Sequence, residues 1–254
     1  MVVVNCLCGE RIDAPDITRV VAELRAHAQS AHPQWPLTDE KARSFLASRD
    51  VTGGWSGERT DEADVEIRSL TPDSAPDFLR FFDGDAFVDN PAWSSCYCYA
   101  HKFTGTQDEW DARGAAENRA DQEACIRAGT TRGLLAYADG RPMAWCHAAP
   151  RNLLPGFDAG DETNSGDLAR TGAIVCFVVS PAYRGQGVAS RLLGAACAML
   201  REQGCDTVQA FPVREGVPTT NARAYHGPLS MYLNAGFAIL GERENFAQVE
   251  KTLG

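Results

Sequence analysis

A continuous apolar segment from Ala173 to Ser180 runs directly into Pro181-Ala-Tyr-Arg-Gly-Gln-Gly-Val-Ala189, and it constrains the fold more than any other part of the sequence. An uninterrupted apolar run of this length predicts a strand that is covered on both faces. The pattern from Gly187 to Gln203 predicts a helix directly after it. Because strand and helix signals alternate through the rest of the chain, we expect an α/β (α+β) fold and exclude an all-β fold.

The turn between this strand and this helix is suited to binding an anion. The first N–H groups of a helix have no partner within the helix, and the helix dipole adds partial positive charge there. Gly185 and Gly187 would let the main chain approach a diphosphate, and Arg184 would add a full charge. The spacing differs from the loops that bind nucleoside triphosphates or dinucleotides, so an ATPase and a dinucleotide enzyme are not favoured.

Two motifs in this part of the chain resemble the GNAT superfamily of N-acetyltransferases. Arg184, Gly187 and Ala189 match its diphosphate loop, Arg/Gln-x-x-Gly-x-Gly/Ala. Later in the chain, Met231-Tyr-Leu-Asn-Ala-Gly-Phe237 is similar to its second signature, a tyrosine followed four and five residues later by Gly-Phe. The resemblance covers about residues 65–254, and it implies a mixed, splayed sheet flanked by helices.

The resemblance also implies the donor substrate and its site. Acetyl-CoA, or another acyl-CoA, would lie where two parallel strands splay apart, and the N–H near Val178 would polarise the thioester oxygen. Tyr232 would be the acid beside the leaving sulfur, because a phenol keeps its proton at neutral pH. The expected donor-binding residues are Val178, Val179, Ser180, Arg184, Gly185, Gln186, Gly187, Val188 and Ala189.

The sequence departs from the family pattern at two positions that matter for catalysis. Many members carry a glutamate base on the strand before the loop, but Ile174–Val178 contains no carboxylate. Many also carry an asparagine seven residues before the tyrosine, where this chain has Tyr225. The candidate bases are therefore the histidines His147, His101 and His226, since imidazole titrates near neutral pH. His147 is the preferred candidate.

An aromatic segment, Trp93 to His101, lies in the part of the chain that shapes the acceptor pocket in this family. Metal binding by Cys96, Cys98 and His101 is the alternative, but these three lack a clear fourth ligand, so a pocket wall is favoured. We expect the acceptor to be the amine of a small molecule, such as an antibiotic or a secondary metabolite. The expected pocket residues are Trp93, Cys96, Tyr97, Tyr99, His101 and Trp145.

The N-terminal residues 1–37 predict a separate ββα unit. Apolar positions from Ile17 to Ala28 have helical spacing, and Pro33 ends the pattern. The unit resembles a small uncharacterised bacterial domain with a Cys-x-Cys-Gly start and a His-x4-His end, and zinc bound by Cys6, Cys8, His27 and His32 is one interpretation. The other is a small core of thiols and imidazoles, because histidines five apart lie about 140° apart around a helix. Residues 38–64 predict a short helix, Thr38 to Ala47, and a linker, leaving 65–254 as the acyltransferase domain.

Charge and composition exclude several other classes. The net charge is −10 and no dense basic run occurs, so a nucleic-acid partner is not expected. No apolar run approaches the roughly 20 residues of a membrane span, and Met1 to Asn5 lacks a basic flank, so we expect a cytoplasmic protein, monomeric or homodimeric, with no membrane partner. The nine cysteines are expected to be reduced.

Two alternatives to an acyl-CoA enzyme remain. A catalytically inactive sensor or interaction module that keeps CoA as a ligand would explain the missing strand carboxylate. An enzyme of the same fold that takes its acyl group from an aminoacyl-tRNA is disfavoured by the net negative charge of the catalytic part.

Single elements are also predicted along residues 65–254. Asp139-Gly140 indicates a hairpin. The other predicted strands are Val65–Leu70, Thr207–Phe211, Phe237–Leu240 and Phe246–Thr252, and the other predicted helices are Pro72–Phe87, Gln107–Ala128 and Pro228–Asn234.

Overall fold

A computed structural model of the chain describes residues 2–5, 11–31, 65–90, 93–157, 167–214, 217, 224–242 and 244–254. The chain divides into two compact units, Met1–Glu62 and Ala63–Gly254. Within the described ranges, no helix combines the length and the apolar character needed to cross a bilayer.

The first unit contains a hairpin and one helix. Strand β1 (Val2–Asn5) pairs antiparallel with β2 (Arg11–Ala14), and helix α1 (Ile17–Ala31) follows. Val20, Val21 and Leu24 are buried, as the helical spacing predicts. The ββα arrangement is confirmed.

Most residues of the predicted zinc site, and the short helix predicted after it, lie outside the ranges that the structure describes. Cys6, Cys8, His32 and the segment from Thr38 to Ala47 lie outside the described residues. His27 is half-buried on α1, and its carbonyl accepts a hydrogen bond from Ser30 Oγ at 3.1 Å.

The second unit is a seven-stranded mixed sheet flanked by helices, which confirms the predicted fold class. The strand order is β3-β4-β5-β6-β7-β9-β8, and every neighbouring pair is antiparallel except β6 and β7. The strands are β3 (Glu66–Ser69), β4 (Leu134–Ala138), β5 (Arg141–Pro150), β6 (Thr171–Val179), β7 (Thr207–Ala210), β8 (Ala238–Glu242) and β9 (Ala247–Thr252). The helices are α2 (Ala75–Asp83), α3 (Gln107–Asp111), α4 (Ala115–Arg127), α5 (Val188–Glu202) and α6 (Leu229–Asn234).

Two of the helix predictions were too long. The segment Pro72–Phe87 consists of a 3₁₀ turn, then α2, then a second 3₁₀ turn, because Gly84 ends the α-helix. Gln107–Ala128 is divided into α3 and α4, each with its own start. Glu109 accepts a hydrogen bond from the Thr106 N–H, and Glu117 accepts one from the Gly114 N–H, and these contacts begin two helices where the apolar spacing predicted one.

The sheet has two covered faces with different contents. Helix α5 covers one face, here called the α5 face, through Leu192, Leu193 and Leu200. Helix α2 covers the other face, here called the α2 face, through Phe78 and its aromatic neighbours. The ring of Phe78 lies 5.0 Å from that of Trp145. The β4–β5 hairpin turns at Asp139-Gly140, both with positive φ, as its sequence predicts.

Strand β6 separates from its parallel neighbour halfway along its length. Its pairing with β7 ends at Ile174, so Val175–Val179 has no described strand on that side. At the same point the pairing with β5 is irregular, since His147 lies opposite Cys176 and Ala148 lies opposite Ile174. Val175 is thus one extra residue, a β-bulge. The bulge places Cys176 on the α2 face, where simple alternation from Ile174 would have turned it to the α5 face.

Candidate active site

The separated edge of β6 forms one wall of a cavity of about 480 Å³. Phe82 and Phe87 at the end of α2 and the segment from Trp93 to His101 form the opposite wall. Arg184 and Ala189, from the loop after β6, and the segment from Ala224 to Pro228 complete the lining. Donor-side and acceptor-side elements of the sequence analysis therefore meet around one space.

The loop before α5 has the backbone that a diphosphate site needs. Gly185 and Gly187 have φ of 73° and 78°, in the left-handed region that favours glycine, and Gly187 caps α5. A Cβ added at either glycine would meet nothing within 4 Å, so the loop surface is open. Open N–H groups at the start of a 15-residue helix fit an anionic group.

Of the remaining predicted donor-binding residues, some line the cavity and the others make contacts within the protein. Val178, Val179, Arg184 and Ala189 line the cavity. Ser180 donates its N–H to the Met143 carbonyl at 2.9 Å. Gln186 donates its amide to the Ala182 carbonyl at 2.9 Å, and Val188 is buried in the α5-face core.

Arg184 is already paired with protein groups. Its guanidinium bridges to the Asp89 carboxylate, with Nη2 at 3.2 Å from Oδ1, and its Nε donates to the Val179 carbonyl at 2.9 Å. The Asp89 side chain is only 11% exposed. A diphosphate would therefore have to share Arg184 with Asp89, a residue that the sequence analysis did not identify.

Two tyrosines lie at the site, one in the core and one on the cavity wall. The Tyr232 hydroxyl is buried and donates to the His226 carbonyl at 2.9 Å. Tyr225 lines the cavity, 5.8 Å from Trp93 between ring centroids. Burial raises the pKa of Tyr232 well above its ordinary value and raises the pKa of Tyr225 to about 12, so both phenols carry their protons at neutral pH.

The predicted acceptor-pocket residues also divide. Trp93, Cys96 and His101 line the cavity. Tyr97 packs on Phe82, and its hydroxyl donates to Asp83 at 2.7 Å.

Tyr99 and Trp145 lie away from the lining. The Tyr99 ring lies under the Arg113 guanidinium at 5.2 Å. Trp145 is fully buried against Phe78, beneath the cavity wall.

The structure adds a sulfur and imidazole cluster that the sequence did not predict. Cys98 Sγ lies 3.2 Å from His147 Nδ1, and both side chains are buried. Cys98 and Cys176 both line the cavity, whereas His147 lies behind Cys98. The only sequence signal for Cys98 was its place in the Cys96-x-Cys98 segment, since its partners are far away in the chain.

The backbone that carries Cys98 is strained. Tyr97 and Cys98 have φ of 42° and 55°, a region that residues with a Cβ rarely adopt. The Cys98 N–H also donates to Cys96 Sγ at 3.1 Å. This tight turn directs the Cys98 thiol towards His147.

The pKa values of the cysteines and histidines around the cavity are shifted in different directions. Burial raises the pKa of Cys98, but a hydrogen bond from Cys176 and the charge of His147 outweigh it, so the pKa is lowered well below its ordinary value. The hydrogen bond to Cys98 and burial raise the pKa of Cys176 well above its ordinary value, and burial raises the pKa of Cys96 to about 12. Burial lowers the pKa of His101 to about 4 and that of His226 to about 3, so both are neutral at pH 7.

In the part of the chain that the structure describes, no group of three or more histidine, cysteine or acidic residues could hold a metal ion. A comparison with family models gives one that spans the site. The acetyltransferase (GNAT) family matches residues 94–227, more than half of the chain. The chain belongs to the acetyltransferase (GNAT) family. As a member of this family it is an acetyltransferase, and the predicted family is confirmed.

Among the solved structures similar to this acetyltransferase are proteins from Thermoplasma acidophilum and S. lividans. The PaiA N-acetyltransferase from Thermoplasma acidophilum, in complex with coenzyme A, is 13% identical, with a TM-score of 0.43 over 74% of this chain and 98% of that one. The GNAT domain of PAT from S. lividans is 20% identical, with a TM-score of 0.46 over 74% of this chain and 90% of that one. A comparison with curated protein sequences gives no match.

Proposed function

We propose that this acetyltransferase transfers the acyl group of acetyl-CoA, or another acyl-CoA, to the amine of a small molecule. The cavity carries this proposal, because about 480 Å³ must hold both the acyl end of the donor and the acceptor. Pockets for small ligands have volumes of this order, with mostly apolar walls and a few polar groups. The aromatic walls at Phe82, Trp93 and Trp110 favour an acceptor with an apolar or aromatic body, such as an antibiotic or secondary metabolite.

The donor would be held by main-chain groups. The N–H groups at Gly185–Ala189 would receive the diphosphate, and the separated edge of β6 would pair with the amides of the pantetheine arm. The bound donor supplies the activated acyl group. The N–H near Val178 would donate to the thioester oxygen, where negative charge develops.

The amine must lose a proton, and His147 is the proposed base. Its Nδ1 contacts Cys98 rather than the cavity, so a proton from the acceptor would reach it through the cavity wall. Neutral His101 on the wall is the alternative acceptor of that proton, although burial lowers its pKa to about 4 and so weakens it as a base.

The leaving thiolate needs a proton, and Tyr232 is the proposed donor. Its hydroxyl donates a hydrogen bond to the His226 carbonyl, so it would have to rotate away from this acceptor and towards the CoA sulfur. Tyr225 on the cavity wall is the alternative.

A panel of small amines with radiolabelled acetyl-CoA tests the function. We expect label to move to at least one aromatic or apolar amine and not to a lysine peptide of similar basicity. Calorimetry with acetyl-CoA alone checks donor binding separately. Transfer to the peptides alone would contradict the small-molecule proposal, and absence of donor binding would contradict the whole assignment.

Zinc in the first unit stays a proposal from the sequence. If Cys6, Cys8, His27 and His32 bind zinc, metal analysis of purified protein will give one ion per chain, and Cys8→Ala will lose it. The same variant should leave acetyl-CoA binding unchanged, since the second unit carries the donor site. Protein purified without added chelator that contains no zinc would leave only the packing interpretation.

A further inference from the structure

Direct transfer from donor to amine needs no nucleophile on the protein, yet Cys98 on the cavity wall contacts His147. A cysteine 2% exposed and a histidine 0% exposed form this contact, and the thiol lies between the imidazole and the cavity. His147 Nε2 is buried, and no described residue offers it a hydrogen bond. The Cys98 thiol is thus the hydrogen-bonding contact that the described residues give this ring.

Two backbone features bring the thiol to this place at a cost. The left-handed conformations of Tyr97 and Cys98 are unfavourable for residues with a Cβ. The β-bulge at Val175 turns Cys176 to the same face, where it also lines the cavity. Strain of this kind persists where surrounding contacts hold it, and it is concentrated at sites that need a fixed geometry.

The position of the thiol relative to the donor is the third observation. Cys98 shares the cavity lining with Cys176, Phe177 and Val178, and these β6 residues form the separated edge along which the donor is proposed to lie. A nucleophile that lines the same cavity as this edge would lie near the acyl end of the donor, and a base in contact with it is the arrangement of a cysteine nucleophile.

We propose that Cys98 is a catalytic nucleophile that takes the acyl group before the amine does, so that transfer takes place in two steps through a thioester on the protein. This inference rests on the proposed function, because it needs an acyl-CoA donor in the cavity.

In the first step the Cys98 proton passes to His147, and the thiolate attacks the thioester carbonyl. The bond from Cys98 Sγ to the acyl carbon forms, the bond from that carbon to the CoA sulfur breaks, and the CoA thiolate receives from His147 the proton that Cys98 gave up, which leaves His147 neutral for the second step. In the second step the amine attacks the acyl-cysteine, its proton passes to His147, and Cys98 leaves as the thiolate. No oxidant or reductant is consumed.

Charges around the thiol support this role. Cys176 donates towards the Cys98 sulfur, and positive charge on His147 favours the thiolate, which together outweigh the effect of burial and lower the pKa of Cys98. A thiolate with a lowered pKa is both the attacking and the leaving form that the two steps require.

The decisive experiment needs no acceptor. The full chain is incubated with acetyl-CoA in a non-thiol reductant, quenched in acid, and its intact mass is measured. We expect one added acetyl group, lost on treatment with neutral hydroxylamine, and located at Cys98 by peptide mapping. After acetylation, Cys98 should no longer react with iodoacetamide, a second measurement on the unaltered protein that does not depend on the folding of a variant.

Variants separate Cys98 from the other thiols. Cys98→Ala should lose the acetyl group, whereas Cys125→Ala, a half-buried thiol on α4 outside the cavity lining, should keep it. His147→Gln retains the thiol but not the base, and it should slow acetylation by about 10² to 10⁴-fold.

Two results would overturn the Cys98 inference, and only the second would also overturn the proposed function. Acetyl-CoA that binds and acetylates an amine while Cys98 stays free would leave the proposed function intact and make transfer direct. Acetyl-CoA that does not bind would remove both proposals.

Discussion

The two faces of the sheet treat the same side chain in opposite ways. On the α5 face, burial raises the pKa of Cys146 well above its ordinary value and also raises that of Cys197, and both thiols pack among aliphatic residues of α5 and the strands. On the α2 face, Cys98 is equally buried, but its pKa is lowered by Cys176 and His147. Burial alone makes a thiol inert, and partners positioned by the fold make it reactive.

The two faces also differ in the free-energy cost of their buried polar atoms. On the α5 face, the buried Tyr232 hydroxyl donates to the His226 carbonyl, and no described side-chain nitrogen or oxygen of this core is left without a partner. The α2 face contains buried nitrogens of Trp145 and His147 for which the described residues offer no hydrogen bond. An unpaired buried donor or acceptor costs about 1–3 kcal/mol, so this face is less stable than its packing would allow. The difference indicates that the α5 face holds the fold together and the α2 face is built for chemistry.

The largest expected effect concerns which face supplies the acid. Tyr232 packs in the α5-face core, and Tyr225 packs against the α2 face. Tyr232→Phe should lower kcat by about 10 to 10⁴-fold with little change in donor affinity, the range typical for loss of a general acid. Steady-state kinetics on the first acceptor found will measure it.

Tyr225→Phe is the matched variant, since it removes the hydroxyl that lies on the wall. We expect a change of less than tenfold. If the two variants exchange their effects, the acid belongs to the α2 face, and the division between a structural and a chemical face becomes sharper.

The second effect concerns the loop that leads into α5. Gly187→Val places a β-branched side chain at a φ of 78°, which such residues avoid, and it should weaken CoA binding at least about 100-fold, equal to about 2.7 kcal/mol. Isothermal calorimetry will measure the affinity and circular dichroism the fold. Gly194→Ala, on the exposed side of α5 where a Cβ meets nothing, is the control that should bind CoA normally. Normal binding by Gly187→Val would move the diphosphate away from this loop.

The third effect is acid destabilisation, which should come from the histidines beside the cavity. Burial lowers the pKa of His101 to about 4 and that of His226 to about 3 in the folded protein, below the ordinary value of about 6.5. The unfolded chain therefore binds more protons as the pH falls from about 6.5 to 4, and the free energy of unfolding decreases over that window.

His101→Gln should remove roughly 1 to 3 kcal/mol of this loss, measured by urea denaturation at pH 7 and pH 4.5. His27→Gln, in the first unit, should leave the pH dependence of the second unit unchanged. An unaltered slope in His101→Gln would mean that acid acts elsewhere than on this cavity wall.

The smallest effect concerns the ion pair that joins the two sides of the cavity. Asp89 and a diphosphate would compete for Arg184, so Asp89→Asn should tighten CoA binding by roughly two- to fivefold, within the range of exposed to half-buried ion pairs. Arg184→Ala should weaken it. Weaker binding by both variants would show that Asp89 orients Arg184 for the donor instead of competing for it.

The backbone of the loop before α5 could be predicted from the sequence because its parts are contiguous. Arg184, Gly185 and Gly187 lie within one turn between a strand and a helix, and local backbone rules are enough to predict that turn, while its role in binding the donor stays a prediction. The ββα unit, the hairpin at Asp139-Gly140 and the helix α5 were predicted for the same reason. The breaks at Gly84 and Gly114 were missed because apolar spacing continues across both. The structure shows the first as the end of α2 at Gly84 and the second as a new helix start, where the Gly114 N–H donates to Glu117.

The thiol and imidazole cluster could not be predicted from the sequence. Cys98 contacts His147 across 49 residues, and Cys176 reaches the same face only through the bulge at Val175. Strict alternation along β6 would have assigned Cys176 to the opposite face. Contacts of this kind depend on register and on one extra residue, and the pattern of a single sequence carries no signal for either.

If the donor pairs with the separated edge of β6 as proposed, the stability of the protein will depend on its donor. From Val175 to Val179 the strand has no described strand on its β7 side, and a donor paired there would bind the folded chain but not the unfolded one. Linkage then adds about 2.7 kcal/mol of stability at a donor concentration 100 times the Kd, a rise of several degrees in Tm. A cell rich in acyl-CoA would thus hold more folded enzyme than a starved one, so the abundance of the protein would follow the supply of its own substrate.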